Sequence, residues 1–467
     1  MPLTRNHQPE SPPVRDDFAV QIQRDNLSQH HIYRNRHTWS LPMMAGSLHD
    51  MHSKRNGDPK GAAPRFLVFT SAFLFRAERY AEAARSWALA TMLERSGFRV
   101  FLFGPDCRGY QVGSSAPARP LAPEESLRHP ILLKLISMGP VKTLLVLMRA
   151  LSQGPWSEST TACVVLHNGG WMSFAAWMYA QLRPSPYLHL DLMGIADQEA
   201  ALARYRFWKG KARIFRYALR KSVLPSHILT TVNAAHADAI RRLYRRDAVV
   251  IPDRLPEDRM RRLGSLQAPT ERPTTTLFFM GSLSSGRLDL FLRVCRDLIG
   301  EEPSLRVVVC GNGSDLERYK AEFGSERILF PGYIGGQRLL GYLADADICY
   351  SDVWSEIGTP YKLIEYMAAG RAIVTHKTPA VDDLIADGIE GVVCEPRRQD
   401  LKNALQSLID NKDLRRRLGA RAREKAIALH TVDWRARLVA LYQSLPGWNG
   451  LGENGPGSPD PAAQSGA

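Results

Sequence analysis

Two successive series of short apolar runs, alternating with helical segments and parted by a polar stretch at 257–273, dominate this sequence. In the first series 66–69, 99–103, 161–166, 187–192, 228–232 and 249–252 read as strands. In the second, 277–280, 305–310, 328–330, 348–351, 372–374 and 391–394 do. Runs this apolar are covered on both faces, the pattern of parallel strands flanked by helices. Helices fall between them: 80–96 stopped by Gly97, 234–245, and segments starting near Leu288, Ser314 and Gln337. The expected fold class is α/β, with two Rossmann-like domains facing each other across a cleft. Their spans are 61–256 and 274–430, joined by a linker at 257–273. A helical segment at 431–445 follows. The polar segment 1–60 and the Gly, Pro, Ser and Ala-rich segment 446–467 are expected to be disordered.

Composition removes several function classes. The six cysteines are scattered, with no C-x-x-C pair, which reads as reduced, buried thiols rather than a disulfide framework or a zinc site. The apolar run at 131–148 is interrupted by Lys134 and Lys142, and the N-terminus carries no signal core. A cytoplasmic protein is expected. The formal charge of +14 suits nucleic acid, an anionic membrane or a phosphate-bearing substrate. Zinc-finger, KH and RRM signatures are absent, so no nucleic-acid partner is expected. The loop at 71–76 has no glycine, which argues against a dinucleotide cofactor. The segment 204–221 interleaves eight cations with aromatic residues and has no acid, which suits either anionic headgroups at the inner face of a membrane or a solvated helix face.

The chemistry is expected at strand ends of the second series. At 359–370, Thr359 reads as an N-cap, Pro360 as the first helical residue, and Gly370 as the left-handed stop. Lys362 breaks the local rule, because the first turn of a helix disfavours a cation. A cation beside free backbone N–H groups is what an anion site requires. The loop at 281–287 offers Gly281, Ser282 and Arg287 to a phosphate, and the turn after 305–310 carries Gly311 and Gly313. Glu365, one turn beyond Lys362, can accept from ribose hydroxyls. In the first domain, His167 ends a buried strand before Gly169 and Gly170. No metal ligand set is evident, and Asp345 and Asp347 read as structural.

These residues, with Pro331, Gly332 and Tyr333, with 362–370 and with Ile373 and Val374, resemble the C-terminal domain of glycosyltransferase family 4. The resemblance is strong over 277–445, weaker over 65–252, and covers neither tail. It implies a GT-B fold and a retaining, nucleotide-sugar-dependent enzyme that needs no cofactor beyond its co-substrate. The helix at 431–445 would cross back to the first domain. Glu365 would bind the donor ribose, Arg287 and Lys362 would face the diphosphate, and His167 would lie near the donor sugar. Donor contacts are also expected from Gly281, Ser282, Gly311, Gly313, Tyr333, Ile334, Glu356 and Thr359. The family's usual first glutamate would fall at Ile357; the glutamate here is Glu356. The expected function is metal-independent transfer of a sugar to a glycan or lipid-linked acceptor. Its alternatives are another nucleotide-sugar reaction, such as epimerisation, and a non-catalytic scaffold at the membrane.

Overall fold

The computed structural model describes residues 65–70, 81–104, 107–112, 144, 146–148, 151, 161–167, 177–179, 181, 187–193, 217, 220, 221, 223–267, 269, 272–284, 286–352 and 359–445. The expectations for the two tails, for the helix after Gly170, for Glu356 and for most of 131–148 and 204–221 lie outside these residues.

The first sheet contains β1 (Arg65–Thr70), β2 (Arg99–Gly104), β3 (Cys107–Val112), β4 (Thr161–His167), β5 (Tyr187–Leu192), β6 (Ile228–Thr231) and β7 (Val249–Val250), in the order β3-β2-β1-β4-β5-β6-β7. All neighbours pair in parallel except β2 with β3. Helices α1 (Ala81–Arg95) and α2 (Ala234–Tyr244) connect its strands. Every residue of β5 is buried, His189 and Asp191 included, so both faces of this strand are covered although its sequence alternates. Asn233 caps α2 by accepting from the His236 N–H at 2.8 Å.

After α3 (Glu257–Gly264) comes the second sheet. Its strands and helices alternate: β8 (Thr275–Ser282), α4 (Asp289–Glu301), β9 (Leu305–Asn312), α5 (Leu316–Phe323), β10 (Ile328–Gly332), α6 (Gly336–Asp345) and β11 (Ile348–Ser351). Then follow α7 (Tyr361–Ala368), β12 (Ala372–His376), α8 (Pro379–Asp382) and β13 (Val392–Cys394). The order is β10-β9-β8-β11-β12-β13, parallel throughout. Side-chain alternation along β8 divides its core in two: Phe278 and Met280 pack with Leu363 and Met367, while Leu277 and Phe279 pack with Phe291 and Leu405. Each such fully buried side chain stabilises by about 1.5–3 kcal/mol.

The chain ends in α9 (Arg398–Asp410), α10 (Lys412–Thr431) and α11 (Trp434–Gln443). Helix α11 leaves the second domain and packs on the first. Trp434, Leu438 and Tyr442 join a core cluster with Phe66, Leu93 and Phe98, and the Tyr442 hydroxyl lies 2.6 Å from His189 Nδ1. The fold is thus α/β with two Rossmann-like units and a returning C-terminal helix. No helix among the described residues is long and apolar enough to cross a membrane.

Three local readings need correction. The stretch at 257–273 is not simply a linker, since it opens with α3, whose Met260 and Leu263 enter the core of the second domain. Its polar composition hides a two-residue apolar face. The edge strand β3 escapes the apolar pattern because only its last residue is an aliphatic one. Pro360, not Thr359, occupies the N-cap of α7 and makes no side-chain cap bond. The Thr359 hydroxyl instead accepts from Asn233 Nδ2 at 3.0 Å, a bond between the two domains. Gly370 does adopt the left-handed conformation, at φ +66°. Cys295, Cys310, Cys349 and Cys394 are buried free thiols.

Candidate functional site

The second sheet reverses its direction of growth between β8 and β11, and ligands of open α/β sheets bind at the carboxyl ends of the strands that flank such a point. Here the two strands pair only at Leu277 with Ile348 and at Phe278 with Cys349. Beyond that they part, and the Met280 N–H donates instead to the Tyr366 hydroxyl at 2.9 Å. The crevice so formed is bordered by the end of β8, by Asp352 after β11, and by the first turn of α7.

Lys362 stands in that crevice. Its Nζ lies 4.4 Å from the Phe279 ring centroid and forms an ion pair with Asp352. A Cβ placed on Gly281 would fall 3.1 Å from this ammonium and 2.9 Å from the Phe279 ring, so only glycine lets them share the space. Asp352 is an unforeseen member of the site. It directly follows a buried strand, the position that could have revealed it.

The loops after β8 and β9 are tied together. Gly281 stands opposite Gly311, and a Cβ on Gly311 would meet the Gly281 carbonyl at 1.9 Å. One on Gly313 would meet the Leu283 carbonyl at 2.2 Å. The Leu283 N–H donates to the Asn312 carbonyl at 3.0 Å, and the Asp315 N–H to the Leu283 carbonyl at 2.8 Å. The Gly286 N–H is already engaged by the Asp315 carboxylate at 2.7 Å. Ser282 and Arg287 are exposed at this edge. Tyr333 is exposed beyond the outer strand β10, whereas Ile334 is buried in the core with Leu340 and Leu343.

Glu365 lies on α7, 14% exposed, with Arg259 Nε and Nη2 each 2.9 Å from its Oε1. Burial pushes its carboxyl above the usual range, and Arg259 partly counters that. The partner sits 106 residues upstream on α3, inside the stretch that reads as a linker. Sequence spacing carried no signal of this pair.

In the first domain, His167 is the last residue of β4, at the switch between β1 and β4; its side chain lies outside the described residues. Between the domains, Asn233 bonds Thr359, and the Ala234 N–H donates to Asp383 at 3.1 Å. A largely apolar cavity of about 310 Å³ opens there, lined by Pro252, Met260, Thr359 and Ile364 among others. Asp345 and Asp347 are structural: Asp345 pairs with Arg272 at 3.0 Å, and Asp347 accepts from the Thr276 N–H at 2.8 Å. Among the described residues no three His, Cys, Asp or Glu side chains converge as a metal site.

Residues 274–411 match the family model described as glycosyl transferases group 1. An uncharacterised glycosyltransferase of Methanocaldococcus jannaschii is 27% identical over 121 residues, which is 25% of this chain and 31% of that protein. The phosphatidyl-myo-inositol mannosyltransferase of Mycolicibacterium smegmatis is 25% identical over 183 residues, 38% of this chain and 47% of that one. The chain thus spans under half the length of these curated relatives. Among solved structures, a sucrose-phosphate synthase from Thermosynechococcus elongatus superposes with a TM-score of 0.57 at 16% identity, covering 81% of this chain and 98% of that one. The catalytic domain of starch synthase IV from Arabidopsis thaliana does so with 0.57 at 11%, covering 82% and 99%. At these identities the superpositions establish the shared GT-B fold.

Proposed function

We propose that this chain, whose second domain is a group 1 glycosyltransferase domain on a GT-B fold, moves a sugar from a nucleoside diphosphate sugar to a glycan or lipid-linked acceptor. The reaction retains the anomeric configuration and requires no divalent metal. The observation that carries this reading is the crevice where β8 and β11 part, with the Lys362 ammonium held against Gly281.

A donor diphosphate laid along this edge would meet Lys362, the start of α7 and the exposed Arg287. The slow event is departure of the diphosphate from the anomeric carbon. Lys362, the exposed Arg287 and a helix N-terminus stabilise the charge that develops on it. Asp352 holds Lys362 in place before substrate arrives, so little reorganisation is needed. The acceptor oxygen then bonds to the anomeric carbon on the face just vacated, and its proton passes to the departing phosphate oxygen. Glu365 takes the ribose hydroxyls, which requires it to share or exchange its bond to Arg259. His167, ending β4, would orient sugar or acceptor. The mannosyltransferase relative is named for a phosphatidylinositol acceptor, which favours the lipid-linked class.

A thermal-shift panel of UDP, GDP, ADP and their sugars should reveal one donor family that raises the melting midpoint, since ligands stabilise only the state they bind. With that donor, Glu365→Ala and Arg287→Ala should each lower transfer at least about a hundredfold while circular dichroism is unchanged. Full activity in either variant rejects the assignment. Activity lost in EDTA would reject metal independence, and an inverted anomer in the product NMR spectrum would reject retention.

A further inference from the structure

The opposite, amino-terminal edge of the second sheet carries a cavity that the proposed transfer does not use. It encloses about 310 Å³ where Thr275 opens β8, Ala372 opens β12 and the first turns of α10 pass. Its wall presents Arg272, Lys412, Arg415, Arg416 and Arg423, against the carboxylates of Asp347 and Glu424. Asp347 accepts from the Thr276 N–H, Glu424 pairs with Arg421 at 2.9 Å, and Arg272 pairs with Asp345 at 3.0 Å.

Two of these guanidinium groups, those of Arg415 and Arg423, donate to backbone carbonyls. Arg415 donates through Nη1 alone, to the carbonyls of Leu408 at 2.6 Å and Ile409 at 2.9 Å. Arg423 donates through Nη2 alone, to the carbonyls of Leu266 at 2.6 Å and Ala369 at 2.7 Å. Helix-end carbonyls carry partial charges and leave a unit charge uncompensated. The Arg423 Nε is buried with no acceptor, and so is the Nε of Arg371 just behind it. Burial pushes both groups below the usual arginine value, and Arg423 adds to the effect on Arg371. Buried donors without acceptors beside a basic hollow mark a place for an added anion.

We propose that this cavity is a second anion site, taking a small soluble phosphoryl anion of the size of pyrophosphate or a sugar phosphate. Its concave shape suits a small solute better than a flat membrane surface. Arg423 also donates to the carbonyl of Ala369, the C-cap of α7, so an anion here would touch the far end of the helix that starts at the donor crevice.

The test is calorimetry with inorganic pyrophosphate on the full chain carrying Lys362→Ala and Arg287→Ala, which remove both cations of the competing donor crevice. One molecule should bind per chain. Adding Ala420→Glu, at an exposed position on the cavity wall, should weaken binding about tenfold or more, and Arg416→Glu should do the same. Circular dichroism checks folding; if Ala420→Glu does not fold, Arg416→Glu on the helix surface decides. Absence of pyrophosphate binding overturns the proposal, as does affinity unchanged by the added acid. So does binding seen only with phosphatidylglycerol vesicles.

Discussion

The two sheets share the order of their first six strands, differ in the antiparallel edge strand β3 and the added β7, and use charge in opposite ways. In the second domain Lys362 and Asp352 pair at the crevice, Arg287 is exposed on the loop after β8, and Glu365 pairs with Arg259 on α7. In the first domain the strongest polar network is sealed inside. Arg85 donates to both Asp191 oxygens at 2.7 Å, to the Ile251 carbonyl at 2.9 Å and to Asp253 at 3.1 Å. Thr230 links Asp191 to His189 Nε2, and His189 Nδ1 bonds directly to the Tyr442 hydroxyl of α11. Burial penalises the Asp191 carboxylate, yet Arg85 outweighs it and holds the group below the usual range. Burial instead prevails at Asp253, whose carboxyl is raised. The difference teaches that charge at a strand end can serve a substrate, whereas charge within the sheet fastens the returning helix.

The sharpest way to break this comparison is Arg85→Ala. It strands two buried carboxylates and should cost about 3–5 kcal/mol in denaturant unfolding. A near-neutral result would mean that the network does not hold the first domain together. Next in size is acid sensitivity. Burial pushes His189 and His236 down to about 4, so both are neutral when folded. The unfolded chain takes up their protons first as pH falls. The stability they contribute is therefore present above about pH 6.5 and is lost toward pH 4. Between pH 6.5 and 5 the loss should be about 1.6 kcal/mol per histidine. Melting curves should show it, and His189→Gln should flatten the slope; an unchanged slope would sink the idea. Smallest is Arg259→Gln, which should raise the Glu365 carboxyl further. Donor affinity should then fall about tenfold, with its acid limb shifted to higher pH. An identical pH profile would reduce Arg259 to a surface contact.

Legibility tracked burial. Strand β5 stood out by its regularly spaced leucines, and α1 by its apolar periodicity and the stop at Gly97, which does take a positive φ of +86°. The crevice was legible as loops that share strand ends, and Gly281, Gly311 and Gly313 each prove sterically necessary. Partners were not. Asp352 with Lys362, Arg259 with Glu365 and Asn233 with Thr359 join residues whose meeting depends on tertiary geometry alone. Composition hid α3 for a related reason, since its apolar face is only Met260 and Leu263.

The chain passes between its domains twice, after β7 and again between α10 and α11, and the two passages are bonded to each other. Arg254 donates to the His430 carbonyl, and His430 Nε2 lies 3.2 Å from the Leu255 carbonyl. The Tyr361 hydroxyl donates to the Arg254 carbonyl at 3.0 Å, so the first residue of α7 is bonded to the same seam. The two crossings and the first turn that carries Lys362 therefore form one continuous bonded unit.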